Sequence, residues 1–318
     1  MKFPFKEEEK SKIQNDSDIG EIFDESLVSE EELEKKYSKS SLYRDAWKRL
    51  LRNKLAMLGL AIVILMVIIA VFSPLLAPYN PNERIKEISQ KGPSLEHWFG
   101  TDILGRDIFS RVLYGARISM LVGVVAVTIS LVIGLFLGAL SGFFGNVSDA
   151  VIMRIADIFF AFPYILGAIA IMTILGQGVL NVFIAIGILG WASVARLFRS
   201  SILSIKEKEY IEAARALGAS KSRIIIKHIL PNSFAPIIVY STMNVGTAII
   251  VEAALSFLGL GVQPPTPSWG KMLSESLNYI NTAPWLMFFP GLAILITVLG
   301  FVLLGDGLRD AFDPRLKR

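Results

Sequence analysis

The strongest constraint on this chain is a series of stretches too apolar, and too long, to fold in water. Between Leu55 and Ala77 no residue carries a charge. About twenty such residues are what a helix needs to cross the hydrocarbon layer of a membrane. Five further stretches of similar character run at about Ile118–Gly142, Val151–Leu175, Val179–Leu203, Phe234–Leu260 and Pro284–Leu304. The apolar share of 53% exceeds the roughly 45–50% of soluble domains. The expected class is therefore an all-α membrane protein with six transmembrane helices.

The connecting segments divide the chain further. Residues 1–40 contain seven lysines and twelve carboxylates with scattered single apolar residues, a composition expected of a disordered acidic tail without a cleavable signal sequence. In residues 41–54, Leu42, Ala46 and Leu50 recur at helical spacing beside Trp47, while Arg44, Lys48 and Arg52 follow another side. That pattern suits an amphipathic helix at the headgroup layer. The first span is placed at 55–77, followed by a loop at 78–117. The remaining five spans form a core at 118–305, with a polar segment at 204–231 inside it and a tail at 306–318 after it.

Within the spans, Gly134, Gly138 and Gly142 repeat at every fourth position. They give one helix face the small-residue stripe that permits close packing in lipid. Arg154 and Asp157 stand three apart and can pair on one face. Pro163 is expected to kink the third span, and Arg196 and Arg199 to reach back to the interface. Asp157 and Glu252 are the carboxylates to weigh for a pathway role or a structural one, since an ionisable group inside a membrane is costly unless paired. The Thr101-Asp102 and Gly105-Arg106-Asp107 cluster reads as a hydrogen-bonded loop. The Gly259–Gly270 stretch reads as a rigid turn without charge.

Residues 204–231 are different in kind. Glu207, Glu209 and Glu212 lie toward the start of a short helix, where carboxylates meet the positive end of the dipole. Gly218 can end that helix in the left-handed conformation. Ser220 is placed to cap a second helix, which Pro231 is expected to terminate. Ala213 and Ala214 between the caps leave a surface that another backbone could approach closely.

With six spans this segment shares a side with both termini. On that side the runs 44–54, 196–227 and 309–318 carry seventeen lysines and arginines against seven on the other, which places the segment in the cytoplasm by the positive-inside rule. The same asymmetry makes the positive charge an orientation signal and not a nucleic-acid surface. No cysteine is present, and the two histidines, His97 and His228, fall on opposite sides. Thiolate chemistry, a histidine-pair metal site and a serine–histidine–aspartate triad are thus excluded within the chain. No Gly-x-x-x-x-Gly-Lys-Ser/Thr loop is present to cradle ATP. A self-powered ion-coupled carrier would show more acids or broken helices at the midplane, so the energy source is expected outside the chain.

Glu212-Ala213-Ala214, Gly218 after three residues, and Leu230-Pro231 resemble the EAA coupling motif of ABC importer permeases. The run Lys227–Asn232, Trp98–Asp102 with Gly105–Asp107, Glu252–Gly261, and Gly305–Asp310 with Asp313–Arg315 are similar to the dipeptide, oligopeptide and nickel branch, in its C-type subunit. His228 stands where the wider pattern has an apolar residue. The resemblance implies a type I ABC importer permease fold with cytoplasmic N- and C-termini in a prokaryotic inner membrane. It implies a B-type permease as heterodimer partner, two ATPase subunits that bind ATP and Mg, and an extracytoplasmic substrate-binding protein. Coupling to the ATPases would fall to Glu212, Ala213, Ala214, Leu217, Gly218, Leu230 and Pro231. Peptides are the expected cargo, with nickel chelates or sugars as alternatives, and the chain itself would hold no cofactor or metal and perform no covalent chemistry.

Overall fold

A computed structural model describes residues 42–313. The acidic tail 1–40 and the Pro314-Arg315 end of the last motif lie outside the described residues. The chain divides after Lys48. Of the first unit, the described part is the opening of α1 (Leu42–Arg52).

Helix α2 (Lys54–Leu76) begins where the Asn53 side chain accepts hydrogen bonds from the amides of Leu55 and Ala56. Its 23 residues give roughly 35 Å of helix, enough to cross the apolar layer. Beyond Lys54 its outward face is apolar, with Leu55, Leu58, Leu65, Ile68, Phe72 and Leu75 exposed.

Helix α3 (Ile108–Ala139) starts well before the expected Ile118, capped by the Asp107 carboxylate on the Ser110 amide at 2.7 Å. Arg111 and Arg117 had pointed to a loop as far as residue 117. Arg111 is instead buried against Asp102 and Glu275, so the helix can begin inside the charged stretch. A π-helical turn at Leu140–Phe144 continues α3, and Gly145 ends it at φ +65°.

The third span is broken, not kinked. Helices α4 (Asn146–Ala161) and α5 (Tyr164–Leu175) meet at 95°. Proline pushes the residue before it out of the helical region, and Phe162 is extended at φ −101°, ψ 140°. The 12 residues of α5 reach only about 18 Å, too short to cross alone. Among the described residues, five helices are long and apolar enough to span, and the bent pair makes the sixth only if both halves count as one.

Helix α6 (Val179–Ile205) packs along α3. The glycine stripe makes this seam: a Cβ on Gly138 would lie 2.7 Å from the Ala195 carbonyl, and one on Gly142 3.0 Å from Ile202 Cβ, with Gly134 closed off by Val194. After the polar segment, α9 (Phe234–Phe257) returns across the core. The Gly259–Gly270 turn holds the start of a further helix, α10 (Trp269–Ser276), capped by Ser268 on the Lys271 amide. Its Trp269 is fully buried and donates to the Val112 carbonyl at 2.9 Å.

Helix α11 (Trp285–Phe312) runs through the segment expected as a free tail from residue 306. The glycines there allow close packing and do not break the helix: Gly307 meets Ala56, Gly305 meets Met243, and Gly59 meets the Leu304 backbone. The start of α2, the start of α9 and the end of α11 therefore share one end of the core.

Candidate functional site

The polar segment forms an island at that same end. Helix α7 (Glu209–Ala216) and the short α8 (Lys221–Ile224) are joined by a tight turn. The Gly218 amide donates to the Arg215 carbonyl at 2.9 Å and the Ala219 amide to the Ala214 carbonyl at 3.0 Å. With Gly218 at φ +78°, this is the paired helix ending that glycine favours. Ser220 Oγ accepts from the Arg223 amide at 3.3 Å.

Three isoleucines fasten the island to the membrane core. Ile211, Ile224 and Ile229 are buried in one cluster with Phe198, Ile202 and Ile237. Glu212, Ala213, Arg215, Ala216 and Gly218 face outward, Ala214 is half-buried, and Leu217 is 88% exposed. Leu230 is half-buried and Pro231 exposed at the far edge.

Pro231 does not end the second helix. Residues Ile225–Ile229 form a π-helical turn, and Leu230–Asn232 add another turn with Pro231 near its start. Proline is tolerated there because the first amides of a turn need no partner inside it. The path then passes through Ser233, whose hydroxyl donates to the Ile229 carbonyl at 2.9 Å, into α9.

Above the island, α3, α5, α6 and α9 surround a cavity of about 260 Å³. Its lining includes Ser130, Tyr164, Ser193, Tyr240, Asn244 and Thr247. Tyr164 Oη donates to the Ile186 carbonyl at 3.0 Å, tying α5 to α6 just after the break. Tyr240 lies within hydrogen-bonding reach of Ser193 and Asn244 and also lines a second cavity that opens toward Arg309 at the island end. None of these crevice residues stands out from the sequence by charge or motif. The spacing of Tyr240, Asn244 and Thr247 at i, i+4 and i+7 was the available signal.

The two carboxylates separate. Glu252 is fully buried in α9, accepting from Ser119 Oγ at 3.1 Å and Ser256 Oγ at 2.7 Å, while Ser256 Oγ accepts from the Val262 amide. It stitches α3, α9 and the following turn together and does not line the crevice. Asp157 is half-exposed and takes Arg196 Nη2 from α6 at 2.8 Å, with Arg154 at 3.8 Å. Arg199 holds Asp149 through two contacts of 2.5 Å. Arg196 and Arg199 thus pair with α4, because the broken span brings carboxylates to their side.

At the opposite end, Asp102 Oδ2 accepts from Arg106 Nε at 2.5 Å, and Arg106 Nη2 reaches Glu275 of α10 at 2.9 Å. His97 Nδ1 meets Asp107 Oδ1 at 2.9 Å. The Thr101–Asp107 cluster is a hydrogen-bonded loop locked to α10. No group of metal-ligand side chains occurs among the described residues.

Five to six spans, a broken helix beside a polar crevice and an exposed helical island together describe the transmembrane half of a transporter. Residues 130–318 match the family of binding-protein-dependent transport system inner membrane components, and residues 41–93 match the N-terminal transmembrane domain of oligopeptide transport permease C. This chain belongs to that permease family.

Among the relatives of this permease, the dipeptide transport system permease protein of Alkalihalophilus pseudofirmus is 52% identical over 89% of the chain and 93% of its own length. The oligopeptide transport system permease protein of Bacillus subtilis is 45% identical over 93% and 98%. A glutathione transport system permease protein of Escherichia coli is 50% identical over 86% and 91%. The inward-facing MetNI methionine ABC transporter shares the fold with a TM-score of 0.53 at 20% identity, covering 64% of this permease and 97% of that chain. The fold is that of a type I ABC importer permease subunit.

Proposed function

We propose that this permease forms half of an ATP-driven import pathway for dipeptides or oligopeptides and takes up the work of ATP hydrolysis through the island. The observation that carries this reading is the island's split character. Three buried isoleucines join it rigidly to α6 and α9, while Leu217 is 88% exposed beside the bare Ala213 and Ala216. An apolar side chain so exposed beside small residues suits burial in a partner's groove. Displacement of the island would then be transmitted to α6 and α9, two of the helices that border the crevice.

In this reading the island faces the cytoplasm and seats on one of two ATPase subunits, which bind ATP and Mg. A B-type permease supplies the other wall of the pathway, and an extracytoplasmic binding protein delivers cargo to the end formed by residues 77–107 and α10. The relatives named for dipeptide and oligopeptide transport support peptides as cargo.

Reconstitution tests the proposal. The permease with its partner permease, ATPases and binding protein should take up a radiolabelled dipeptide only with ATP. Glu212→Lys should abolish uptake while leaving membrane insertion intact. Uptake by the permease alone on an ion gradient would refute it.

A further inference from the structure

We propose that Tyr240 is a gate on the import pathway, a ring that closes the crevice toward the island and is latched across the seam between α6 and α9; this inference rests on the importer reading above. The first observation is a shared wall. The crevice of about 260 Å³ and the island-end cavity of about 420 Å³ are separate, and among the described residues Tyr240 is the one that lines both. The two cavities follow the same pair of helices. On α9, Pro236, Val239 and Met243 line the island-end cavity and Asn244 and Thr247 the crevice, with Tyr240 between them. These positions share one helix face by their spacing. On α6, Leu197 lines the island-end cavity, and Ser193, one turn earlier, lines the crevice. The ring therefore stands where a continuous groove would otherwise run.

The second observation is a change of lining. The crevice presents Ser130, Ser193, Asn244 and Thr247, and a polar space of that size holds water. Polar side chains within a span mark a packed interior or a pathway, and these surround open space. The island-end cavity is walled instead by Leu197, Val239, Met243 and Phe312, with Arg309 beside them. A ring with a hydroxyl at one end suits the boundary between the two.

The third observation is the latch and its place beside the island's anchor. Tyr240 lies within hydrogen-bonding reach of Ser193 on α6 and of Asn244 on its own helix. Ile237 is one turn before Tyr240, Phe198 is just over one turn after Ser193, and both belong to the cluster that fastens the island. Packed helices shift between discrete arrangements. A movement of the island that slides α6 against α9 would part Tyr240 from Ser193, free the ring to swing and join the two cavities.

The chain contains no cysteine, so single reporters can be placed in the complete transporter and read on this chain by mass spectrometry. Ser130→Cys lies in the crevice at a buried position of α3, and Val239→Cys lies in the island-end cavity. In inside-out membrane vesicles without ATP, a membrane-impermeant methanethiosulfonate should label Val239→Cys readily and Ser130→Cys slowly. Tyr240→Phe keeps the ring and drops the latch, so labelling of Ser130→Cys should rise by about 2–10-fold, the weight of one hydrogen bond. Ser193→Ala should raise it similarly, and the two changes together no more than Tyr240→Phe alone, because they remove the same contact. Tyr240→Ala should raise it further and leave Val239→Cys unchanged. ATP hydrolysis should continue in Tyr240→Ala, with fewer dipeptides imported per ATP.

Fast labelling of Ser130→Cys behind the intact ring, or equal labelling with Tyr240→Ala, overturns the gate. Slow labelling of Val239→Cys overturns it too, by showing an island-end cavity filled by the partner permease. Tyr240→Phe preserves the packing of the ring and so tests the latch even where Tyr240→Ala fails to assemble. ATP-driven dipeptide uptake by the unmodified transporter is measured in parallel. Its absence would overturn the importer reading, while the labelling would still decide whether the ring parts the cavities.

Discussion

Gly218 offers the cleanest perturbation of the island. Its φ of +78° belongs to the left-handed region, and a Cβ built on it meets nothing within 4 Å. Substitution by alanine therefore adds no clash, and the whole effect is the backbone cost of that conformation, about 1–2 kcal/mol. The island would adopt the present turn about 5–30 times less often. If the turn presents the docking surface, the concentration of ATPase subunits needed for half-maximal transport should rise by about the same factor. The assay is a titration of purified ATPases onto proteoliposomes holding both permeases, with binding protein and dipeptide outside. Gly218→Asn should shift the titration less, because asparagine tolerates the left-handed region. Gly176→Ala is the control, since Gly176 has φ +84° and equally open surroundings but lies between α5 and α6, away from the island. A wild-type titration for Gly218→Ala, or an equal shift for Gly176→Ala, would refute the reasoning.

Ile211→Ala should loosen the island's anchor, at a cost of about 2–5 kcal/mol for a buried isoleucine; trypsin cleavage at Lys208 and Arg215 would accelerate, whereas unchanged cleavage would show that the anchor does not hold it. Glu252→Leu should lower the thermal midpoint by leaving the Ser119 and Ser256 hydroxyls without their acceptor, about 1–3 kcal/mol for each unsatisfied group. Glu252→Gln, which keeps an acceptor oxygen, should be milder in a thermal-shift measurement in detergent. Gly138→Val should be worse than Gly142→Ala for folded yield on size-exclusion chromatography, since a Cβ at Gly138 meets backbone 2.7 Å away, whereas one at Gly142 meets the Ile202 side chain at 3.0 Å and backbone no nearer than 3.2 Å.

The spans were legible because apolar length has few uses other than crossing a membrane. Their ends were harder, since charge was taken to mean the end of a helix. At Arg111 the charge is cancelled by Asp102 and Glu275, which lies far along the chain. At Asp306–Asp310 the helix continues because Gly305 and Gly307 let neighbouring helices approach. Helix α10 was hidden by a short polar sequence, and its reason to fold is the burial of Trp269 against α3. Pro163 announced a disturbance, but its 95° size depends on what the two halves pack against.

The sequence by itself determined the class of this protein, the polar island between its apolar stretches, and the turn at Gly218. Each of these follows from local properties: apolar length, charge count and the conformational freedom of glycine. Only the tertiary structure decided which polar groups meet. It buried Glu252 between serines of α3 and α9, turned Arg196 onto Asp157 across a broken span and gathered Tyr164, Ser193, Tyr240 and Asn244 around one cavity. Those pairings join residues far apart in the chain. Helical spacing fixes the neighbours on one face of a helix, while the partner across a seam is set by how the helices pack.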